Sequence, residues 1–424
     1  MSRYAKQLAC LCALVLASAL PAPTATADAP GFDGGHLKYF FLLNSFPDDS
    51  LFSDYIDSPA TDHNGDMRLK FSWQADNVSL VTDYQMVARY GDGVELARQL
   101  PPQLLFTDTV LNDDRRLLDL TRTLSDTDNR FVAHRLDRLY INITSRKTVV
   151  RIGRQVLSWG NGLLYTPVDI FNPFDPAAVD KEYKNGDDML YGQYLQQNGN
   201  DLQAVWVVRR NNEGKVSDKV DSIALKYHGF IGNGEYDLML AEHYDDRVYS
   251  VGGLGNIAGA IWRGDITLTD TPDRTVPSLV TSLSYSWTAG GHNVSGLAEY
   301  FYNGFGQADG DYSPAALAEN PELVERFLRG ELYTLARHYV ALSAMIEASP
   351  LWRLTPNLFI NASDRSFLAQ LVSSYDIMQN LQLLAAINLP VGADGTEYGG
   401  IDSTIPGKQL SSDLSLFAQL AWYF

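Results

Sequence analysis

The sequence predicts an all-β protein: a transmembrane antiparallel up-and-down β-barrel of about eighteen strands. Three observations predict it. The chain opens with a secretory leader. Nothing after the leader offers the roughly 20 consecutive apolar residues of a membrane-spanning helix. Segments with two-residue apolar alternation recur to the last residue, separated by turns and loops that fall into two classes.

Residues 1–27 read MSRYAKQLACLCALVLASALPAPTATA. Arg3 and Lys6 form a basic start, Leu8 to Leu20 an apolar run, and Ala25-Thr26-Ala27 a small-residue cleavage site. All three parts of a signal peptide are present, so cleavage is expected after Ala27, leaving 28–424 as a single barrel domain. The apolar run is too short to span a bilayer. Both cysteines, Cys10 and Cys12, lie in the leader, so disulfide and thiol chemistry are excluded from the mature chain. With 33 Lys plus Arg against 51 Asp plus Glu, the net charge is −18, and loss of Arg3 and Lys6 takes it to −20. Phosphate binding needs a basic surface, so nucleic acid is not an expected partner. The 23 Tyr, 18 Phe and 7 Trp suit aromatic girdles at the two membrane interfaces.

Strands are expected at 35–45, 66–75, 77–90, 133–145, 147–156, 187–197, 200–210, 220–231, 234–244, 247–253, 257–269, 278–288, 292–302, 337–348, 351–362, 366–376, 379–390 and 412–424. Met67, Leu69, Phe71 and Trp73 alternate with Arg68, Lys70, Ser72 and Gln74; Leu279, Thr281, Leu283, Tyr285 and Trp287 alternate with Val280, Ser282, Ser284 and Ser286. Barrel strands signal weakly one at a time, and the number of them carries the reading. If the C-terminus is periplasmic, the short connections at 75–77, 145–147, 197–200, 232–234, 254–256, 289–291, 349–350 and 377–378 all fall on the periplasmic side. The long ones, 46–65, 91–132, 157–186, 304–336 and 391–411, all fall outside, as barrels arrange them. The short strand 247–253 and the pairings within 91–132 leave sixteen strands as the alternative. Within 313–336, Ser313, Pro314 and the spacing of Leu317, Leu323, Val324, Phe327 and Leu328 predict a short helix in a surface loop, with a lumenal plug as the alternative.

The last strand alternates Leu414, Leu416, Ala418, Leu420, Trp422 and Phe424 toward one face. A terminal Phe on the lipid-facing parity resembles the signal read by the outer-membrane barrel-assembly machinery, with Trp422 and Phe424 as its residues. That machinery, outer-membrane lipid and lipopolysaccharide are therefore the expected partners.

No catalytic or cofactor signature stands out. The seven His residues (36, 63, 134, 228, 243, 292 and 338) are scattered, without metal-ligand spacing. His-Glu-x-x-His, G-x-S-x-G and the phosphate-binding Gly loop are absent. Asp62, Asn64 and Asp66 lack the full calcium-loop pattern and read as a solvated turn. No cofactor, no metal and no enzymatic activity are expected, although a Ser–His–acid site can assemble between strands without a sequence signature.

The most distinctive segment is RIGRQVLSWGNGLLYTPVDIFNPFDP, residues 151–176. A strand runs into a Gly-rich turn and then a loop rich in proline and aromatics. The segment resembles a poorly characterised family of proteobacterial outer-membrane porin-like proteins with a G-R-Q…W-G-x-G…P-x-D-x-F-N-P pattern. Its positions here are Gly153, Arg154, Gln155, Trp159, Gly160, Gly162, Pro167, Asp169, Phe171, Asn172 and Pro173. RLDRLY (135–140), YKNGDDM (183–189) and GELYTLARHY (330–339) extend the resemblance over most of the chain. It implies a porin-like barrel and names no cargo.

Glycine permits a tight reversal at Trp159-Gly160-Asn161-Gly162, and Pro167, Pro173 and Pro176 stiffen the chain beyond it. Two readings stay open: a constriction loop folded into the pore, carried by Trp159, Gly160, Gly162, Asp169, Asn172 and Asp175, or a loop packed on the rim. Strand parity turns Lys38, Arg68, Lys70, Arg138, Arg151, Arg209 and Lys226 inward. Facing Asp169, Asp175, Asp180, Glu182, Asp187 and Asp188, this basic wall would set a transverse field and favour an anionic or zwitterionic solute. The net charge opposes that at the mouth. Arg154 shares parity with lipid-facing Val150 and Ile152, so it must lie above the membrane or beyond a bulge.

The function expected is passive diffusion of small hydrophilic solutes, anionic ones included. Export or uptake of a larger or apolar molecule is the first alternative; a plugged structural barrel or a surface hydrolase is the second. An energy-coupled receptor is not expected, because little chain precedes Gly35 for a plug domain.

Overall fold

The computed structural model describes residues 31–100 and 111–424; the leader expected at 1–27 lies outside the described residues, as does part of the 91–132 connection. Eighteen strands form a closed antiparallel barrel. They are β1 (Gly31–Asn44), β2 (Ala60–Ala75), β3 (Val78–Gly91), β5 (Arg130–Thr144), β6 (Thr148–Gln155), β7 (Asp187–Leu195), β8 (Asp201–Val207), β9 (Ser222–Ile231), β10 (Gly234–His243), β11 (Asp246–Ile257), β12 (Ala260–Asp270), β13 (Thr275–Ala289), β14 (His292–Tyr302), β15 (His338–Ser349), β16 (Trp352–Asn361), β17 (Ser366–Met378), β18 (Leu381–Val391) and β21 (Ser415–Tyr423). β1 closes on β21 over His36↔Tyr423 to Asn44↔Ser415. Closure gives each of the eighteen strands a partner on both sides, which backbone in hydrocarbon requires. A short β4 (Thr121–Thr127) pairs with β5, and β19 (Ile401–Asp402) pairs with β20 (Gln409–Leu410) in a loop hairpin.

The alternation places apolar side chains on the outside. Leu283, Tyr285, Trp287, Leu371, Ile387, Leu420 and Trp422 are all exposed. So large an exposed apolar surface is stable against lipid and not against water. Tyr285, Trp287, Trp352, Tyr375 and Trp422 belt the end with the short turns, and Tyr39, Tyr90 and Tyr249 mark the other. No helix among the described residues is long and apolar enough to cross a membrane, so the strands are what would span it.

Every expected strand has a counterpart, and the sixteen-strand alternative falls. The differences are local. β2 begins at Ala60, so Asp62, Asn64 and Asp66 are strand residues rather than a solvated turn, with Asp62 and Asn64 buried. Their period-two spacing put all three on the inward face, where polarity is ordinary for a barrel. β11 runs on through 254–256, the stretch expected as a turn, and reverses at Ala258 (φ 52°) and Gly259 (φ 90°). β4 went unforeseen because TRTLSDT has little apolar alternation. It occupies the wall above the short β6: both pair with β5, β6 at Leu139–Thr144 and β4 at Arg130–Arg135.

The expected helix is two short ones, Pro314–Ala318 and Pro321–Leu328, each with proline in its first turn. The Ser313 hydroxyl accepts from the Ala316 N–H at 3.3 Å, as the cap reading required. Leu323 is fully buried among Tyr165, Val276, Phe301, Phe305, Tyr312 and Leu335. The loop 303–337 thus leans onto the inner wall at the loop end of the barrel and is more than a surface excursion.

Candidate functional site

The segment between β6 and β7 makes a circuit of the barrel interior. Trp159 Nε1 donates to Gln203 Oε1 of β8 at 2.8 Å. Asn161 reaches Asp237 of β10 at 3.3 Å and Asp265 of β12 at 2.7 Å. The backbone N–H groups of Leu163, Leu164 and Tyr165 converge on Glu299 of β14 at 2.7–2.9 Å. Tyr165 stacks on Phe301 at 5.0 Å and tilts against Tyr339 of β15. The Ala177 carbonyl accepts from Gln370 of β17 at 2.8 Å. Lys38 of β1 holds Asp180 at 2.6 Å and Glu182 at 2.7 Å, and Tyr423 of β21 donates to Glu182 at 2.9 Å. Tyr183 lies under Arg68 of β2 at 4.1 Å. Arg138 of β5 donates to the Lys184 carbonyl at 2.6 Å, and the chain returns to β7. At about 3.3 Å per residue, roughly thirty residues reach about 100 Å. The path doubles back once on the way: Phe171 returns to within 5.6 Å of Trp159 and meets His243 at the end of β10 before the chain runs on to β17.

Two inward carboxylates fix the first half of the circuit. Asp265 accepts from Asn161 N (2.6 Å), Gly162 N (3.2 Å) and Asn161 Nδ2; Glu299 accepts the next three N–H groups. Five backbone and one side-chain donor thereby find charged acceptors, which bond more strongly than neutral ones. Gly252 of β11 makes room: a Cβ there would collide with Asp265 Oδ1. Gly160 adopts φ 105°, the left-handed region the tight reversal requires.

The motif side chains separate by role. Trp159 is buried and meets Phe171 edge-on at 5.6 Å, in a cluster with Met189, Tyr191, Val205, Val207, Met239 and Val248 of the inner wall. Gly162 is pinned on Asp265. Asp169 pairs with Lys184 across the loop, and burial pushes its carboxyl up from the ordinary range against that ammonium. Asn172 Nδ2 donates to Asp187 at 3.1 Å. Asp175 accepts the Ala177 N–H at 2.8 Å, and burial raises its pKa as well. Trp422 and Phe424 stand on the outer face, their rings 4.9 Å apart, with Phe424 stacked on Phe32.

Of the seven basic residues, five are joined to carboxylates: Lys38 as above, Arg68 to Asp137 (2.8 Å) and Asp83 (3.3 Å), Arg138 to Asp137 (2.5 Å), Arg209 to Asp187 (3.3 Å) and Lys226 to Asp237 (3.0 Å). Lys38 and Arg209 therefore touch the acidic segment directly, and Arg68, Arg138 and Lys226 are matched within the wall, instead of facing that segment across an open bore. A field between paired charges cancels over a few ångströms. Lys70 and Arg151 differ: they lie against the rings of Tyr183 (4.9 Å) and Tyr191 (5.3 Å) and have no ion pair among the described residues. Arg209 is also displaced from its expected place, standing two residues past the end of β8.

Strand parity missed Arg135 and Asp137. The ladder between β3 and β5 slips between Asp83 and Tyr84, so a bulge at Asp137 turns both Arg135 and Arg138 inward. Arg135 donates to Asn185 of the circuit at 2.8 Å. Nothing in RLDRLY marks the bulge. Arg154, flagged by its outward parity, is enclosed: Asp113 at 2.9 Å and Asp188 at 2.9 Å grip its guanidinium, and Leu118 O accepts at 2.5 Å. The segment below β4 supplies that cover, at the end of β6 where the wall changes strands. Among the described residues no group of three or more His, Cys, Asp or Glu could hold a metal.

No family model and no curated protein matches the chain. Solved structures do match in fold. OccAB3 of Acinetobacter baumannii superposes with a TM-score of 0.53 at 11% identity, over 92% of this chain and 99% of that one. A BenF-like porin from Pseudomonas fluorescens Pf-5 gives 0.52 at 11% identity, over 94% and 98%. OpdL of Pseudomonas aeruginosa gives 0.51 at 12% identity, over 94% and 98%. At such identities the likeness is one of fold.

Proposed function

We propose that this chain is a porin-like channel of the Gram-negative outer membrane, through which small hydrophilic solutes diffuse passively. The observation that carries the reading is a closed eighteen-strand wall, apolar outside and polar inside, one of whose long connections runs along the inner surface instead of over the rim. That connection, residues 156–186, is the constriction: it lines the bore on every side and sets its width. The neighbours of the same fold include a protein described as a BenF-like porin, which fits. Export by the leader 1–27 and assembly through Trp422 and Phe424 complete the reading, with bilayer lipid and lipopolysaccharide around the aromatic belts.

Ion preference is weaker than a bare basic wall would give, because five of its charges are neutralised locally. Lys70 and Arg151 remain to favour anions. Single-channel recording in a planar bilayer under a salt gradient tests the proposal. Stepwise conductance with a slight anion preference is the expected result. Silent insertion of folded protein overturns it and favours a plugged barrel, a reading to which the buried aromatic clusters around Tyr165 and Trp159 lend substance.

A further inference from the structure

The inner wall is not uniform around its circumference. From β1 to β12 it is studded with charges. Across β15 to β21 one laddered row carries none: Ser343↔Asn357, Asn357↔Gln370, Gln370↔Asn388 and Asn388↔Ser415 are successive cross-strand partners. The side chains form a relay. Asn357 Nδ2 donates to Gln370 Oε1 at 2.8 Å, Gln370 Nε2 to Asn388 Oδ1 at 2.9 Å, and Asn388 Nδ2 to Ser415 Oγ at 3.1 Å. A row of amides one strand spacing apart, about 4.8 Å, presents donors and acceptors in alternation.

Over the end of this row lies a half-open cavity of about 270 Å³, bordered by Ala177 of the circuit and by the loop 392–414. Asn388, Ser411, Ser412 and Ser415 line it, Leu368 and Pro390 flank it with apolar surface, and no Lys or Arg takes part. Glu397 is the one ionisable acid among the lining residues. The relay leaves the second N–H of Asn388 and the Ser415 O–H without a partner among the described residues, and the buried Ser411 hydroxyl has none either.

We propose that this cavity is a binding subsite for a neutral, hydroxyl-rich solute of monosaccharide size, and that such solutes are the channel's preferred class. The proposal rests on the channel reading above. Uncharged hydroxyls exchange water for amide and serine partners bond for bond, while Leu368 and Pro390 cover a C–H face. An anion entering the same cavity loses hydration and meets no cation, only the Glu397 carboxyl. The unpaired cations Lys70 and Arg151 stand on β2 and β6, and neither lines the cavity.

Glucose and gluconate make the test, since they share their hydroxyls and differ in one carboxylate. The full chain is reconstituted in liposomes, and influx of each labelled probe is followed beside KCl conductance. Glucose is expected to saturate and to enter about fivefold faster than gluconate. Ser412→Trp, at an exposed loop position on the cavity's lining, puts an indole into the cavity and leaves every wall residue in place. It should cut glucose influx by about threefold and leave KCl conductance nearly unchanged. Gluconate entering as fast as glucose, or glucose influx unmoved by Ser412→Trp, in vesicles that conduct KCl overturns this inference and leaves the channel standing. Folded protein that passes neither KCl nor glucose overturns both.

Discussion

Glu397 is a loop carboxylate whose ionisation is set by its surroundings. Its oxygens accept from Tyr339 Oη at 2.5 Å, Asn361 Nδ2 at 2.8 Å and the Leu335 N–H at 3.0 Å, joining the loops 303–337 and 392–414. Burial outweighs those donors and pushes its pKa up to about 7. A carboxyl raised on folding binds its proton more tightly in the folded state, so its contribution to stability is full at low pH. That contribution falls as pH climbs from the ordinary carboxylate range, near 4.5, through 7. Limited proteolysis of the loop 392–414 should therefore be slower at about pH 5 than at about pH 8, and Glu397→Gln should abolish the difference. Arg154 makes a second case at this scale. Arg154→Ala would leave buried Asp188 without its cation and buried Asp113 with Arg116 alone, and should destabilise the barrel by about 3 kcal/mol. Urea unfolding read by electrophoretic mobility measures it. Sequence parity made Arg154 conspicuous, because a lipid-facing Arg is costly. Its partner Asp113 was illegible, since the contact spans a loop that no periodicity constrains.

At the scale of elements, strands were legible and the paths between them were not. Alternation against lipid is imposed residue by residue, so β13 and β21 show it plainly; β4, which only extends the wall, does not. The circuit's existence was half visible: the Gly-rich reversal and three prolines mark a stiff loop, but its acceptors Asp265 and Glu299 sit more than a hundred residues away. Those two carboxylates yield the element-level prediction. Asp265→Asn with Glu299→Leu removes the charged acceptors, and the loop N–H groups left buried cost about 1–3 kcal/mol each. The barrel should still form, with its strand ladder intact. Conductance should rise and become noisy, and protease should cut within 160–186. An unchanged conductance would mean that the circuit does not set the bore.

For the whole molecule, closure and strand number follow from the count of alternating segments and the sorting of short and long connections. Net charge said little about the lumen, because the sum hides the pairing. Lys38, Arg68, Arg138, Arg209 and Lys226 each look like free cations in the sequence and each is matched in space. Charge reversal should reveal the difference. Lys70→Glu with Arg151→Glu is expected to move the reversal potential toward cation selectivity, while Lys226→Gln with Asp237→Asn, which deletes a matched pair, should hardly move it. Assembly gives a further check: Phe424→Ala should lower the fraction of chain that reaches the heat-modifiable barrel form, without altering the conductance of what does.

The circuit of residues 156–186 also has a mechanical meaning. A hollow cylinder of sheet resists stretching along its strands but ovalises easily, since neighbouring strands hinge about their hydrogen bonds. Ties from β8, β10, β12, β14, β17, β1 and β5 to one cord, which doubles back between Trp159 and Phe171, brace that cylinder from within. Ovalising the wall must lengthen some spans of the cord, and slackening the cord must soften the wall. The cross-section of the bore and the compliance of the barrel thus become one variable, and membrane tension, which flattens cylinders, would be felt directly at the narrowest ring.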